Sequence, residues 1–428
     1  MEESEESADP EPSFSPSTKL FSWRDPSVVA VAVVALFAGF GQFGAVAALG
    51  SVAQGFGHVS HGATITDRIG LSGTVLGVGL SILRLASLGA LPLSGLADRF
   101  GRRPVLIATC GLGLALTVTA AFSPSYWWFV AIFALGRPFL SATTGVAQVT
   151  AAEHTASAQR AKAVSLIAAG YGVGAGLTAI IHGFAQNSLG FRGVFALAVF
   201  PLAMLPFLRK WLREPARFEN VVGSEHAPPV LGPVGRPFRR RLILVSILAF
   251  AVSVITGPAN SFIFLYAQEV RHLPGLAVSA MVVAAGVTGL SGLLLGRWMA
   301  DRWGRRITVV VGMVGLAVFG SVAYSGSDIG TVLGYVLGVL AGATFAPAGG
   351  AFINELFPTS VRASVAGWQI AAGVIGAVVG LVAFGEVADI GNHFSIAALL
   401  VFLPMIPVVL CVWLLPETRN REPEELWD

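Results

Sequence analysis

Charge is scarce in this chain. Only 12% of its 428 residues are Asp, Glu, Lys or Arg, where a soluble domain carries about 25%. With 54% hydrophobic residues and a mean hydropathy of +0.75, the apolar excess is too large for one globular core, so a bilayer is its solvent. Cysteine is almost absent: Cys110 and Cys411 each fall inside an apolar run and read as buried thiols, not a disulfide or a metal site. Lysine is rare as well, 3 against 24 arginines, a composition that suits a GC-rich bacterial genome. The sequence has no phosphate-binding glycine loop, no metal-ligand spacing and no nucleophile–base arrangement, so neither an enzyme nor a cofactor is expected. Nucleic acid is not an expected partner either. The basic run Arg236, Arg239, Arg240 and Arg241 is explained by topology and by anionic lipid. No basic segment precedes a cleavage site, so no removable signal peptide is read, and the first apolar run serves as an uncleaved anchor.

What is abundant is long apolar sequence. A membrane-spanning helix needs about 20 mostly apolar residues. Twelve such runs are present, at 28–53, 70–94, 104–122, 126–150, 163–187, 191–210, 242–268, 275–297, 307–325, 329–353, 363–388 and 394–415. Residues 1–25 are acidic and rich in Pro and Ser and read as a disordered tail. The long polar insert 211–241 reads as a linker between six-helix halves at 26–210 and 242–415, with a second tail at 416–428. If the N-terminus is cytoplasmic, 22 of the 27 Lys and Arg residues fall on that side. That asymmetry satisfies the positive-inside rule and puts both termini in the cytoplasm.

The two halves repeat one another. Gly95-Leu96-Ala97-Asp98-Arg99-Phe100-Gly101-Arg102-Arg103 returns 203 residues later as Met299-Ala300-Asp301-Arg302-Trp303-Gly304-Arg305-Arg306. Glu153 and Arg160, after the fourth run, return 202 residues later as Glu355 and Arg362, after the tenth, and Gly136 matches Gly338. A charged turn recurring half a chain away marks parallel repeats of a transporter. The loop pattern resembles the cytoplasmic signature of the major facilitator superfamily. Glu355-Leu356-Phe357-Pro358-Thr359-Ser360-Val361-Arg362 and Pro416-Glu417-Thr418-Arg419 are similar to segments of its sugar-porter-like and metabolite-symporter branches. The fold class expected is therefore all-α, with twelve transmembrane helices as two parallel-repeated six-helix bundles.

The resemblance implies a gate. Asp98 with Arg102 and Arg103, and Asp301 with Arg305 and Arg306, would form latches across the interface between the halves. Glu153, Arg160, Glu355 and Arg362 would be the second components. Such latches would close the cytoplasmic side and open again during alternating access. The plainer reading is that these charges fix topology and solvate loops.

Two arginines stand apart. Arg84 and Arg137 each lie about eleven residues into an apolar run, roughly 16 Å deep and close to the bilayer midplane. A charge there costs about 2.5 kcal/mol or more. All 24 Asp and Glu residues lie in loops, tails or helix ends, so neither arginine has an ionic partner at its depth, and an anionic substrate would supply one. Neither is duplicated: Arg84 aligns near Val287 and Arg137 near Val339. The alternative for both is structural, Arg84 on backbone carbonyls near Pro92 and Arg137 as the helix-four arginine of many relatives.

The first run also lacks the acidic residue usual in sugar-porter proton symporters, with Gln42 its one large polar side chain. The seventh lacks the paired glutamines of that branch. His182 is the lone intramembrane group titrating near neutral pH and reads as a packing residue. Helices five and eleven carry Gly170, Gly172, Gly174 and Gly176, and Gly373, Gly376, Gly380 and Gly385, which suits close helix contact across the interface. Pro258 and Pro347 are expected to break helices seven and ten. Candidates for the cavity wall are Gln42, Tyr171, Asn260 and Gln369, with Tyr266, Phe345 and Trp368. The reading that results is an alternating-access transporter for a small organic anion, in a bacterial inner membrane, working as a monomer with a small-molecule substrate and the bilayer as partners. The alternatives are an efflux carrier of amphipathic compounds and a membrane ligand sensor without flux.

Overall fold

The computed structural model describes residues 22–60, 62, 64–155, 157–214, 232–419 and 421. Most of the expected tails (1–21, 420 and 422–428) and residues 215–231 of the expected linker lie outside these. Twelve helices are long and apolar enough to cross a membrane. They are α1 (Pro26–Ala47), α2 (Gly73–Phe100), α3 (Arg102–Ala120), α4 (Tyr126–His154), α5 (Lys162–Ala185) and α6 (Ser188–Leu208) in the first half. In the second they are α7 (Arg236–Val270), α8 (Gly275–Trp303), α9 (Arg305–Ala323), α10 (Asp328–Phe352), α11 (Ser364–Gly391) and α12 (Phe394–Leu414).

Local signals set the helix ends. Asp25 caps α1 by accepting from Ser27 N at 2.8 Å, with Pro26 at the first helical position, where its missing N–H costs nothing. The sharp turns from α2 to α3 and from α8 to α9 each pivot on one glycine, Gly101 at φ 96° and Gly304 at φ 101°. A side chain there would be strained, so the turn and its glycine recur 203 residues apart. A carboxylate then covers the first N–H groups of each following helix. Glu214 accepts from Arg102 N and, at 3.0 Å, from Arg103 N. Glu417 accepts from Arg305 N at 2.9 Å and Arg306 N at 3.1 Å. The negative charge sits at the positive end of the helix dipole in both halves.

Packing divides by depth. On the side opposite the linker, one apolar cluster runs through both halves, joining Val52, Phe129 and Phe195 to Phe262, Phe264 and Leu381. On the linker side each half keeps its own cluster, around Leu106, Leu140 and Ile167 in the first and around Met313, Phe352 and Leu356 in the second. The halves are therefore joined at one face of the membrane and parted at the other.

The glycines of α5 and α11 divide in two. Gly174 lies against the Leu36 carbonyl of α1, and Gly376 against the Phe250 carbonyl of α7. Both contacts are internal to a half. Across the interface, Gly385 lies against Gly73 of α2, Gly176 against Val282 of α8, and Gly183 against Gly275 of α8. Gly73 and Gly275 are 202 residues apart, as are Gly183 and Gly385, so the two seals are one contact made twice. Pro347 does not break α10, which runs on as helix from Asp328 to Leu356. Helix packing around a proline re-satisfies the backbone it disturbs. In α7 the helix containing Pro258 ends at Ser261 and resumes, widening to a five-residue turn over Tyr266–Val270.

Candidate functional site

Between the halves lies a cavity of about 590 Å³. Its wall runs from Val245, Val309, Phe352 and Ala366, at the linker-side ends of their helices, to Thr256 and Ala377 near mid-span. It thus reaches the linker side. Almost all of the wall belongs to α7, α9, α10 and α11, and Arg84 of α2 is the first half's contribution among the described lining residues. The polar side chains there are Arg84, Ser253, Thr256 and Gln369; the remainder is aliphatic, glycine or phenylalanine. One wall offers a cation, and the facing walls offer apolar surface with a few hydrogen-bonding groups, the usual composition of a ligand pocket.

The structure brings Arg84 and Arg137 together. Arg137 feels the charge of Arg84, and both feel the Tyr171 hydroxyl on α5, without a hydrogen bond to it; of the three, Arg84 alone is among the described residues of the cavity wall. Arg137 donates from Nη1 to the Gln42 carbonyl at 3.1 Å, while its Nε is buried without a hydrogen-bond partner. Neither arginine is paired with a carboxylate among the described residues. The Gln42 side chain is not part of the wall: its amide donates to the Leu140 carbonyl at 2.9 Å and to Thr144 Oγ1 at 3.2 Å, tying α1 to α4. Asn260 lines a second, adjoining pocket. His182 is fully buried, with one ring nitrogen 3.1 Å from Ser51 Oγ, as a packing residue would be.

Among the described residues, the ion pairs of the charged loops lie within the halves. Arg102 reaches back one turn to Asp98 at 2.5 Å and across to Glu153 at 2.9 Å. Arg305 does the same with Asp301 at 3.6 Å and Glu355 at 2.9 Å. Each pair joins residues of one half. The donors of both guanidinium groups are spent binding α2 or α8 to α4 or α10, so these pairs brace each half as a unit. Arg103 donates to the Arg209 carbonyl at 2.8 Å, Arg306 lies over the Trp413 ring and Arg362 donates to the Phe357 carbonyl at 2.9 Å. Arg160 is exposed and has no ion pair among the described residues.

What closes the opposite side is a set of residues that sequence reading passed over. Asp389 of α11 accepts from Gly73 N at 2.7 Å, Thr74 N at 2.8 Å and Thr74 Oγ1 at 2.7 Å. Asn392 accepts from Ile65 N at 2.6 Å, Gln54 donates to Glu269, and Ser81 donates to the Val378 carbonyl at 3.1 Å. The Phe43 and Phe264 rings meet edge to face at 5.5 Å. All of these bonds cross between halves. Asp389 and Glu269 look like ordinary helix-end carboxylates in the sequence; only the glycine pairs, through their common spacing, carried a signal.

Two repeated six-helix bundles, sealed at one face around a cavity that reaches the other, define a membrane transporter that works by alternating access. The match to the family model of the Major Facilitator Superfamily covers residues 29–299 and 287–427, and the chain belongs to that superfamily. The cis,cis-muconate transport protein of Acinetobacter baylyi is 25% identical over 342 residues, 73% of this chain and 80% of that protein. The 3-(3-hydroxy-phenyl)propionate transporter of Escherichia coli is 27% identical over 346 residues, 78% of this chain and 82% of that one. In fold, the chain is similar to a D-xylose-proton symporter, with a TM-score of 0.72 and 18% identity over 93% of this chain and 99% of that one.

Proposed function

We propose that this protein carries a small carboxylate with an apolar body across the cytoplasmic membrane of a bacterium, with both termini in the cytoplasm. The observation that carries this reading is Arg84 in the wall of a largely apolar cavity, with Arg137 close enough to feel its charge and no protein carboxylate paired to either arginine among the described residues. Two cations near the midplane repel one another and are costly to hold there. An anionic substrate pays that penalty back, and it leaves its carbon body against the α7, α10 and α11 wall. The muconate and hydroxyphenylpropionate carriers among the relatives take carboxylates with carbon-rich bodies, which supports the same substrate class.

The arginine-rich side is taken as cytoplasmic by the positive-inside rule, so the arrangement described is open inward. The halves 26–210 and 242–415 rock as two bodies in a monomer, braced by the Arg102 and Arg305 ion pairs. Outward opening breaks the Asp389, Asn392, Glu269 and Ser81 contacts and parts Gly73 from Gly385. The reading concerns transport and assigns no chemistry to any residue.

Counterflow in liposomes tests it. Vesicles holding the purified protein and unlabelled benzoate should accumulate labelled benzoate from outside, and external cis,cis-muconate should compete. Exchange of a lipophilic cation, with no exchange of any carboxylate, would make the arginines structural and favour efflux. Stabilisation by a carboxylate with no flux would favour a sensor.

A further inference from the structure

A second pocket, about 290 Å³, opens within the second half between α7, α9 and α10. It shares Val252, Thr256 and Phe345 with the main cavity, so the two adjoin. Apart from Thr256, Phe345, Asn260 and Tyr335, its wall is glycine, alanine, leucine and valine. Asn260 donates from Nδ2 to the Thr256 carbonyl at 3.0 Å, which leaves its Oδ1 without a partner among the described residues. Tyr335 touches Phe264 through its ring, centroids 5.9 Å apart, and its hydroxyl likewise has no hydrogen-bond partner among them.

Neither atom is among the buried ones without a partner, so both are open to the pocket, where water or a ligand's polar group can pair with them. Packing alone does not require them. On the spacing of 202 that relates α4 to α10, Tyr335 corresponds to Phe133, which is buried and apolar in its own half. The Tyr335 hydroxyl is therefore an addition to the duplicated scaffold, as Arg84 and Arg137 are. An amide oxygen accepts, and a phenol both donates and accepts. Together they suit a group that is itself donor and acceptor.

We propose that this pocket is the subsite for the distal end of the carried anion, and that Asn260 and Tyr335 select substrates bearing a hydroxyl group there over equals bearing a methyl group. The inference rests on the main cavity being the anion site, with the carboxylate held at Arg84 and Arg137.

The test uses the full-length protein in detergent and three matched pairs of probes, the ortho, meta and para hydroxybenzoates against the corresponding methylbenzoates. At one ring position or more, the hydroxyl compound should bind roughly ten- to a hundredfold more tightly than its methyl partner. Tyr335→Phe and Asn260→Leu should each bring that ratio towards one. A ratio near one at all three positions in the parent protein overturns the proposal. So does a ratio that survives in both variants, since the preference then arises elsewhere, for example through a resident water. Benzyl alcohol against benzoate separates this from the reading beneath it. If the two compete equally, the anion site falls and the subsite with it. If benzoate wins and only the hydroxyl preference is missing, the subsite alone is wrong.

Discussion

The Asp389 carboxylate of α11 accepts the first two backbone N–H groups of α2, at 2.7 Å from Gly73 and 2.8 Å from Thr74. A half-buried anion from one half thus caps a helix of the other, where the helix dipole favours it. Hydrogen bonds to a charged group contribute about 1.5–3 kcal/mol each, so this contact favours the arrangement sealed at this face, which the proposed topology makes inward-open. Asp389→Ala should shift the population towards outward-open by tenfold or more. A cysteine at Leu381, fully buried in this interface, should then react faster with an impermeant maleimide added outside. Unchanged labelling would show that Asp389 does not hold the seal.

Close approach of backbones at Gly73 and Gly385 leaves no space for a side chain. A Cβ on Gly73 would lie 2.8 Å from the Gly385 carbonyl oxygen. Gly73→Leu should therefore prevent closure of the outer side. We expect a folded protein that binds benzoate from outside and fails in counterflow. Normal counterflow would mean that the halves do not meet here during transport.

The Arg102 guanidinium is only 11% exposed and binds Asp98 and Glu153 of its own half. Because these bonds do not change partners when the halves rock, Arg102→Ala should cost stability alone. Breaking a fully buried pair costs about 3–5 kcal/mol; with Glu153 24% exposed, a loss of about 1–3 kcal/mol is expected. Thermal unfolding should shift down while Leu381→Cys labelling stays as in the parent. A change in labelling with no change in melting would restore a gating role.

At the outer face, Gln54 and Glu269 join the halves. Glu269→Gln keeps a hydrogen-bonding group but removes the charge, and should shift the population less than Asp389→Ala does. The comparison is made with the same cysteine reporter. An equal or larger shift would move the weight of the seal to the Gln54–Glu269 contact.

The fold was legible because its signals are local and repeated. Apolar runs of membrane length, the glycine turns at Gly101 and Gly304 and the matched Glu153 and Glu355 each report on nearby sequence. Arg84 and Arg137 stand out together in the sequence because a charge at mid-span is rare enough to demand a reason. The partners of Asp389 could not be read, since Gly73 lies 316 residues away and helix-end carboxylates are common. Gln42 was read as cavity-facing because its neighbours are apolar. Its amide instead serves two acceptors on α4, a contact set by helix packing and not by spacing along the chain. The resemblance suggests that the loop arginines bridge the halves, whereas the carboxylates paired with Arg102 and Arg305 among the described residues belong to the same half.

The most direct measurement is thermal stabilisation of the detergent-purified protein by benzoate, benzyl alcohol and a lipophilic cation, in the parent and in Arg84→Gln and Arg137→Gln. A ligand at 100 times its Kd adds about 2.7 kcal/mol of stability. Stabilisation by benzoate alone, lost in Arg84→Gln and in Arg137→Gln proteins that still fold, is the expected result. Stabilisation by the alcohol or the cation, or stabilisation by benzoate that both variants retain, would contradict the assignment of these arginines as the anion anchor.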